Sequence, residues 1–319
     1  MIRLAMLGRS EGNGHPYSWS AIINGGYDEE RMKRIPFPVI YDYLSRQPRE
    51  NLGIEGARVT HVWTENKEDA EDIAATSLIE HVVDRPEDVI GKVDAVIIGE
   101  DVGSRHLGLA LPFIERGIPI FIDKPLTDNE ADLKEFARFF REGKPVLSSS
   151  GYRYAREIEE MDREAIGEIE FVNCMMNKSW EKYGIHALEG LWRINGGGVE
   201  RVQNLGTEKA NVVHLRYSDG RQAVVNVIYR SQLALYNVIG SKASRTIAIT
   251  DSFYMFKKQL AVFVEFVRDV LGGDSAGAGR PCRYPYPPEE TMEMVKVVIA
   301  GIRSREEGGR PVFLSEIQC

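Results

Sequence analysis

Short apolar runs alternate with amphipathic stretches through the first 150 residues of the chain. Six runs have the length and composition of buried strands, at Ile2–Leu7, Val59–Trp63, His81–Val83, Ala95–Ile98, Ile118–Ile122 and Val146–Ser150. Between them, apolar residues at helical spacing predict helices at Tyr17–Asn24, Glu68–Thr76, Arg105–Arg116 and Asn129–Glu142. This alternation favours an α/β domain whose doubly wound parallel sheet is covered by helices on both faces.

The second half of the chain follows a different pattern. Strands are predicted at Ile169–Met175, Asn211–Tyr217, Gln222–Tyr229, Leu233–Ile239 and Arg245–Ile249. Asp219-Gly220 lies between two of them and is a strong hairpin signal. Two helices are predicted after the strands, at Phe256–Leu271 and Glu289–Arg305. We therefore expect two domains, residues 1–146 and residues 147–319, the second of α+β type with a largely antiparallel open sheet.

The composition is that of a globular protein and excludes several classes of function. Hydrophobic residues make up 43% and charged residues 28% of the 319 residues. The net charge of −8 weighs against a nucleic-acid partner. The three cysteines are far apart, so neither a disulfide framework nor a zinc site is expected. No signal peptide or bilayer-length apolar run is visible, so we expect a cytoplasmic protein without a membrane partner.

The loop after the first strand is the candidate for binding a phosphate. Glycines at this place let backbone N–H groups approach a diphosphate beside the N-terminus of a helix. Their spacing departs from the G-x-G-x-x-G fingerprint, so a plain surface loop is the alternative interpretation. The candidate residues are Gly8, Ser10, Gly12, Asn13, Gly14 and His15.

An acidic residue near the end of the second strand is the candidate for binding ribose hydroxyls. Glu65 lies two residues past Trp63, and its charge would repel a 2′-phosphate, which favours NAD over NADP. Its separation from the glycines is unusually long, because residues 27–56 intervene. These residues are polar and irregular, and a short helix is predicted within them at Val39–Arg46. A solvated turn residue is the alternative interpretation of Glu65.

Later motifs resemble those of the Gfo/Idh/MocA oxidoreductase family. A helix with an early histidine, His106, leads through Gly117 into a strand that ends in Asp123-Lys124-Pro125. The segment Gly151–Tyr154 resembles the family's strand that enters the second domain. The segment Tyr183–Glu189 resembles the one that carries a substrate-facing histidine. The resemblance implies a Rossmann-type first domain. Its specific motifs lie mainly within residues 95–155 and 180–192.

The resemblance also implies an activity. Members of the family use NAD(H) or NADP(H) to oxidise or reduce a carbinol or carbonyl of a sugar, polyol or related small molecule. Lys124 matches the active-site lysine near the nicotinamide, and Pro125 matches the proline that shapes that corner. Asp123 and His106 match residues on the cofactor side, and His186 matches the histidine that faces the substrate.

Elementary chemistry suits Lys124 and His186 to proton transfer. Lys124 follows a central strand, where sheets of this kind bind ligands, and partial desolvation there lowers the pKa of a lysine. An imidazole accepts and returns a proton near neutral pH. We expect hydride transfer between a substrate carbon and nicotinamide C4, with both side chains managing the hydroxyl proton. A surface lysine paired with Asp123 and a structural histidine are the alternatives.

One residue departs from the resembled family. Lys182 lies four residues before His186, where the family often has an aspartate, and could favour an acidic substrate. His186 and Glu189 have a spacing that can bind metal, but a third ligand is lacking and no metal is expected. The other candidates for lining the substrate pocket are Tyr152, Arg153, Asn177 and Trp180.

Two other functions stay open at this level. A non-catalytic regulator would keep the dinucleotide site without turnover, and an NAD-assisted hydrolase or lyase would oxidise its substrate only transiently. In the resembled family the open face of the second sheet packs against another subunit, which implies a homodimer or homotetramer.

Overall fold

The chain forms two compact units in the computed structural model, which describes residues 1–272 and 282–319. The first unit comprises Met1–Asp123, Arg138–Ser148 and Phe256–Pro285. The second comprises Lys124–Ala137, Ser149–Met255 and Tyr286–Cys319. Each unit draws on three separate stretches, so long-range contacts define it. The boundary after residue 146 stays a prediction. None of the described helices is long and apolar enough to cross a membrane.

A six-stranded parallel sheet forms the first unit. Its strands are β1 Ile2–Leu7, β2 Ala57–Trp63, β3 His81–Val82, β4 Ala95–Ile98, β5 Ile120–Ile122 and β6 Val146–Ser148, in the order β3-β2-β1-β4-β5-β6. Leu7 pairs with Trp63 on one side and with Ile98 on the other. Ile98 in turn pairs with Ile122, so these strands end at one edge of the sheet. The sheet confirms the predicted Rossmann-type fold.

Helices follow the strands as the periodicity predicts. They are α1 His15–Asn24, α2 Glu29–Met32, α3 Pro38–Ser45, α4 Lys67–Ser77, α5 Gly103–Glu115 and α6 Glu130–Arg141. Gly25 ends α1 with a left-handed φ of 77°, a conformation that glycine adopts without a Cβ penalty. Asn66 caps α4, because its side chain accepts a hydrogen bond from the backbone N–H of Glu68.

The insertion at residues 27–56 packs on the start of α1. It forms α2, α3 and a 3-10 helix at Arg49–Asn51, and α3 confirms the short helix predicted there. Phe37 and Ile40 lie so close to Gly14 that a Cβ at Gly14 would be 2.8 Å from Phe37 Cδ2. The insertion therefore belongs to the core of the first unit.

A seven-stranded mixed sheet forms the second unit. Its strands are β7 Ile169–Asn177, β8 Val199–Asn204, β9 Ala210–Tyr217, β10 Gln222–Ile228, β11 Leu235–Gly240, β12 Ser244–Ala248 and β13 Val312–Phe313, in the order β12-β11-β7-β10-β9-β8-β13. All neighbouring pairs are antiparallel except β7 and β10, which are parallel. The remaining helices are α7 Arg156–Glu159, α8 Arg163–Ile166, α9 Trp180–Asn195, α10 Ser252–Gly272 and α11 Pro288–Glu306.

The segment Gly151–Tyr154 is a 3-10 helix, so its interpretation as a strand is wrong. The Ser150 side chain accepts a hydrogen bond from the backbone N–H of Tyr152 and so caps the turn. The tight turn leaves Arg153 and Tyr154 buried within the second unit.

Candidate active site

The glycine loop of the first unit combines left-handed residues with free backbone donors. Gly8 and Gly12 have φ values of 80° and 79°, which side chains with a Cβ rarely adopt. A Cβ at Gly12 would meet no atom within 4 Å, so the backbone there is open to a ligand. In the described part of the chain, the backbone N–H groups of residues 9–12 and of Gly14 have no protein acceptor. Successive unpaired N–H groups of this kind form a cradle for anions.

Side chains of the loop are fixed by carboxylates at the same edge of the sheet. Ser10 Oγ donates to Asp101 Oδ1 at 2.5 Å. His15 Nδ1 lies 2.6 Å from Asp123 Oδ2, and Asn13 Nδ2 donates to the same oxygen at 3.1 Å. The imidazole of His15 also stacks on Trp19, with ring centroids 4.4 Å apart. The loop is therefore held in one conformation before any ligand arrives.

Two other predicted cofactor residues differ in their exposure. Glu65 is exposed and forms an ion pair with Arg105, which also lies 3.3 Å from the buried Glu100 carboxylate. His106 is completely buried, with Nε2 3.0 Å from the Glu100 carbonyl oxygen. Glu65 is thus accessible to a ribose, whereas the buried His106 imidazole contacts the backbone at Glu100.

These features fit a bound dinucleotide. The open backbone at Gly12 and the unpaired N–H groups suit a diphosphate, and a carboxylate near the end of β2 suits a ribose. The carboxylates of Asp101 and Asp123 accept hydrogen bonds from loop side chains, which moderates their repulsion of an anion above the loop.

In the second unit, Lys124 and His186 contact the same tyrosine. Lys124 is only 2% exposed, and its Nζ lies 5.9 Å from the centroid of the Tyr183 ring. That ring lies 4.8 Å from the imidazole of His186. Within the chain, Lys124 directly follows Asp123, and the peptide bond between Lys124 and Pro125 is cis. The structure therefore brings together the two side chains for which proton transfer was predicted.

A chain of hydrogen bonds orients His186. The Ser150 hydroxyl lies 2.5 Å from His186 Nδ1, and the Ser150 backbone N–H donates to Glu189 Oε1 at 2.9 Å. Glu189 accepts a second bond from Arg153 Nε at 2.5 Å. A partner at Nδ1 fixes the ring orientation and tautomer of a histidine. Ser150 was not predicted, because its role depends on packing that no local motif records.

Arg153 is a buried cation with two carboxylate partners. Its guanidinium bonds to Glu189 and Glu290 and lies 4.2 Å from the centroid of the Tyr286 ring. Burial opposes the charge, but the facing Glu189 carboxylate, Tyr286 and the bond to Glu290 raise the pKa of Arg153 above its usual range. Among the described residues, Arg153 Nη2 has no hydrogen-bond partner.

Trp180 corrects one prediction. It was expected to line the substrate pocket, but it has no accessible surface and its Nε1 donates to the Val298 carbonyl at 2.9 Å. Its ring packs against Gly184 and Gly301, where a Cβ would overlap it. Trp180 is therefore a core residue that fixes the start of α9. Asn177 ends β7 and is half-buried, and the Tyr152 ring lies 5.2 Å from that of His186.

The chain matches a known family of oxidoreductases over residues 41–150, which is described as having an NAD-binding Rossmann fold. The family matched over these residues is Gfo/Idh/MocA. The match includes Glu65, His106 and Lys124, and it begins after the glycine loop, where the spacing departs from the fingerprint. No curated protein matches the chain.

Solved structures share the fold over nearly the whole chain. Myo-inositol dehydrogenase from Corynebacterium glutamicum is 16% identical with a TM-score of 0.70, covering 98% of this chain and 99% of that one. Apo scyllo-inositol dehydrogenase from Lactobacillus casei is 12% identical with a TM-score of 0.72, covering 99% and 98%. GenD2 from gentamicin A biosynthesis, solved with NAD, is 15% identical with a TM-score of 0.70, covering 98% and 97%. These likenesses show the fold.

The match of residues 41–150 to an oxidoreductase family with an NAD-binding Rossmann fold bears out the predicted class of cofactor and of enzyme, an NAD(P)-dependent oxidoreductase. The roles of the individual site residues stay predictions.

Proposed function

We propose that the chain is a dehydrogenase or reductase that acts on a carbinol or carbonyl carbon of a sugar, polyol or related small molecule. The observation that carries the proposal is the buried Lys124 beside the Tyr183 ring, which also contacts His186. A nicotinamide dinucleotide, when bound, would supply or accept the hydride. Inositol dehydrogenases among the solved structures of this fold support a polyol as the class of substrate.

The residues of the chain divide the work. The loop at residues 8–15 holds the diphosphate through backbone N–H groups, and Glu65 bonds to a ribose. Lys124 and His186 bind the reacting hydroxyl and take up or return its proton. Ser150 hydrogen-bonds to the imidazole of His186, and Glu189 and Arg153 hold Ser150 in place.

The Lys124→Met variant tests the proposal. It keeps the length of the side chain but removes the proton carrier, so we expect kcat to fall by about 10²–10⁴-fold. The affinity for NADH, measured by fluorescence titration, should change little. Lys134→Met, at an exposed position of α6, is the matched control and should retain activity. Full activity of Lys124→Met on a substrate of the wild type would refute the catalytic role.

The second sheet supports a homodimer or homotetramer. Its outward positions carry apolar side chains that are only partly buried within one chain, among them Phe171, Met175 and Val224. We propose that a second copy covers this face.

A further inference from the structure

Lys178 has an unusual backbone conformation beside the candidate site. Among the described non-glycine residues, only Leu78 and Lys178 have a left-handed φ. Leu78 ends α4, where such a residue is common. Lys178, with φ 61°, lies between β7 and α9 and ends no helix. A residue with a Cβ is strained in the left-handed backbone conformation, and such strain often persists where a function requires it.

This backbone conformation accompanies a contact between Lys178 and Tyr183. Lys178 Nζ hydrogen-bonds to the Tyr183 hydroxyl and lies 4.4 Å from the centroid of its ring. The same ring contacts Lys124 and His186. Tyr183 therefore has two ammonium groups around it and the imidazole beside it.

The carboxylates of α9 pair with arginines and not with Lys178. Glu181 lies 2.5 Å from Arg305, and Glu189 lies 2.5 Å from Arg153. In the part of the chain that the structure describes, Lys178 has no carboxylate within ion-pair distance. Its side chain is exposed, so a ligand can reach it. An ammonium group held by a tyrosine and without a counterion is a binding group for an anion.

We propose that the substrate carries an anionic group, a carboxylate or a phosphate, that binds Lys178 while the reacting carbinol faces Lys124 and His186. The inference rests on the proposed function and names the class of substrate. Tyr183 positions the Lys178 ammonium through its hydroxyl. Neutral inositols and sugars lack the group that this lysine binds.

Matched pairs of substrates test the inference. The rate of NAD(P)H formation is measured with glucose, glucuronate and glucose 6-phosphate, and with galactose and galacturonate. We expect kcat/KM to be at least tenfold higher for one class of anionic substrate, the sugar acids or the sugar phosphate, than for the neutral sugar. The KM of that substrate should rise with salt, because exposed ionic contacts are screened. The class with the higher kcat/KM identifies the anionic group as a carboxylate or a phosphate.

Variants of Lys178 separate charge from structure. Lys178→Met should raise the KM for the anionic substrate at least tenfold, with little change in kcat and no change for the neutral sugar. Lys178→Arg should restore much of the loss, and Lys209→Met, at an exposed lysine of the same unit, should have no effect. Equal losses on both substrates, or a preference for the neutral sugar, would overturn the inference.

Failure of the proposed function gives a different result. In that case no substrate of the panel yields NAD(P)H. Calorimetric binding of the sugar acids and sugar phosphates to the NADH complex then still tests Lys178, since binding requires no turnover. Loss of that binding in Lys178→Met supports the anion site, and its absence in the wild type contradicts it.

Discussion

At the scale of residues, each of the two units has buried charged side chains among its candidate site residues. Arg153 and Glu189 are 3% and 1% exposed, and removing one partner of such a pair costs about 3–5 kcal/mol because the other charge stays buried. Asp123, fully buried, has His15 and Asn13 as partners. Substituting Arg153, Glu189 or Asp123 would therefore disturb the structure of the site, and an exposed member gives a clearer test of cofactor binding.

Glu65 is such a member, and its pairing sharpens the prediction about cofactor choice. Glu65→Ala removes the carboxylate that can bind the ribose and leaves the half-exposed Arg105 with Glu100 as its remaining ion-pair partner. A guanidinium with one carboxylate fewer attracts a 2′-phosphate more strongly. We therefore expect the Kd for NADH to rise by about tenfold, the order of one hydrogen bond to a charged group, while that for NADPH falls or stays.

Fluorescence titration with NADH and NADPH measures both constants. Glu71→Ala, which removes an exposed carboxylate from α4, is the control and should leave the ratio unchanged. An equal loss of affinity for both cofactors would remove Glu65 from the ribose site.

At the scale of elements, α9 is the helix that carries His186, and β11 anchors it. Tyr236 of β11 donates from its hydroxyl toward the carbonyls of His186 and Ala187, at 3.3 and 3.1 Å. Gly190 makes this close approach possible. A Cβ there would overlap the Tyr236 hydroxyl and lie 2.5 Å from its Cζ. The position of the imidazole thus depends on a glycine one turn further along the helix.

Two glycine-to-alanine variants should have opposite effects on stability. Gly190→Ala should lower the free energy of unfolding by about 1–3 kcal/mol, because the added methyl overpacks a filled site. Gly108→Ala, in the exposed interior of α5 where a Cβ meets nothing within 4 Å, should raise it by about 0.5–1 kcal/mol. Denaturant unfolding monitored by circular dichroism checks both, and a neutral Gly190→Ala would show that α9 can shift away from Tyr236.

Local periodicity was sufficient to predict the first sheet but not all of the second. Val199–Asn204 has apolar side chains at Val199 and Val202 only, too sparse a pattern to indicate a strand. The parallel pairing of β7 with β10 joins strands that are separated by α9, β8 and β9, and no local pattern specifies such a partner. Strand pairing is set by packing over long sequence distances.

In the candidate site, too, local patterns predicted some residues, and only long-range packing revealed the others. Lys124 and His186 stood out because each lies in a motif of fixed spacing. Ser150 and Tyr183 gained candidate roles only through contacts made after folding. Lys178 had no sequence signal, since a lysine with a left-handed backbone looks like any other lysine.

At the scale of the whole molecule, the outward face of the second sheet is the surface with consequences for assembly. Val224 lies on β10, the middle strand, and pairs with His214 and Asn173 on either side. Val212 and Ile239, on the same face, are 39% and 37% exposed. Specific interfaces between copies bury about 800 Å² on each partner, and their centres are depleted of charge.

Val224→Lys should therefore dissociate the proposed homo-oligomer. The new ammonium would be buried in the apolar centre of the interface, or beside the same ammonium of the second copy. We therefore expect the mass in solution to fall to that of one 36.0 kDa chain. Val39→Lys, the same substitution at an exposed valine of α3, should leave the mass unchanged. Sedimentation velocity distinguishes the two, and a monomeric wild type would contradict the proposed interface.

The place of α10 in the chain has a consequence for biosynthesis. Phe263 packs on Phe121 and Phe256 on His15, with ring centroids 5.6 and 5.2 Å apart. The nucleotide-binding unit therefore needs a helix that is made after strands β7 to β12 of the second sheet. While the ribosome is still translating those strands, the nascent N-terminal half has its own strands but lacks the Phe263 ring that packs on Phe121. The apolar surface that α10 covers stays exposed until that helix is made, and this is the interval in which we expect a chaperone to be needed most.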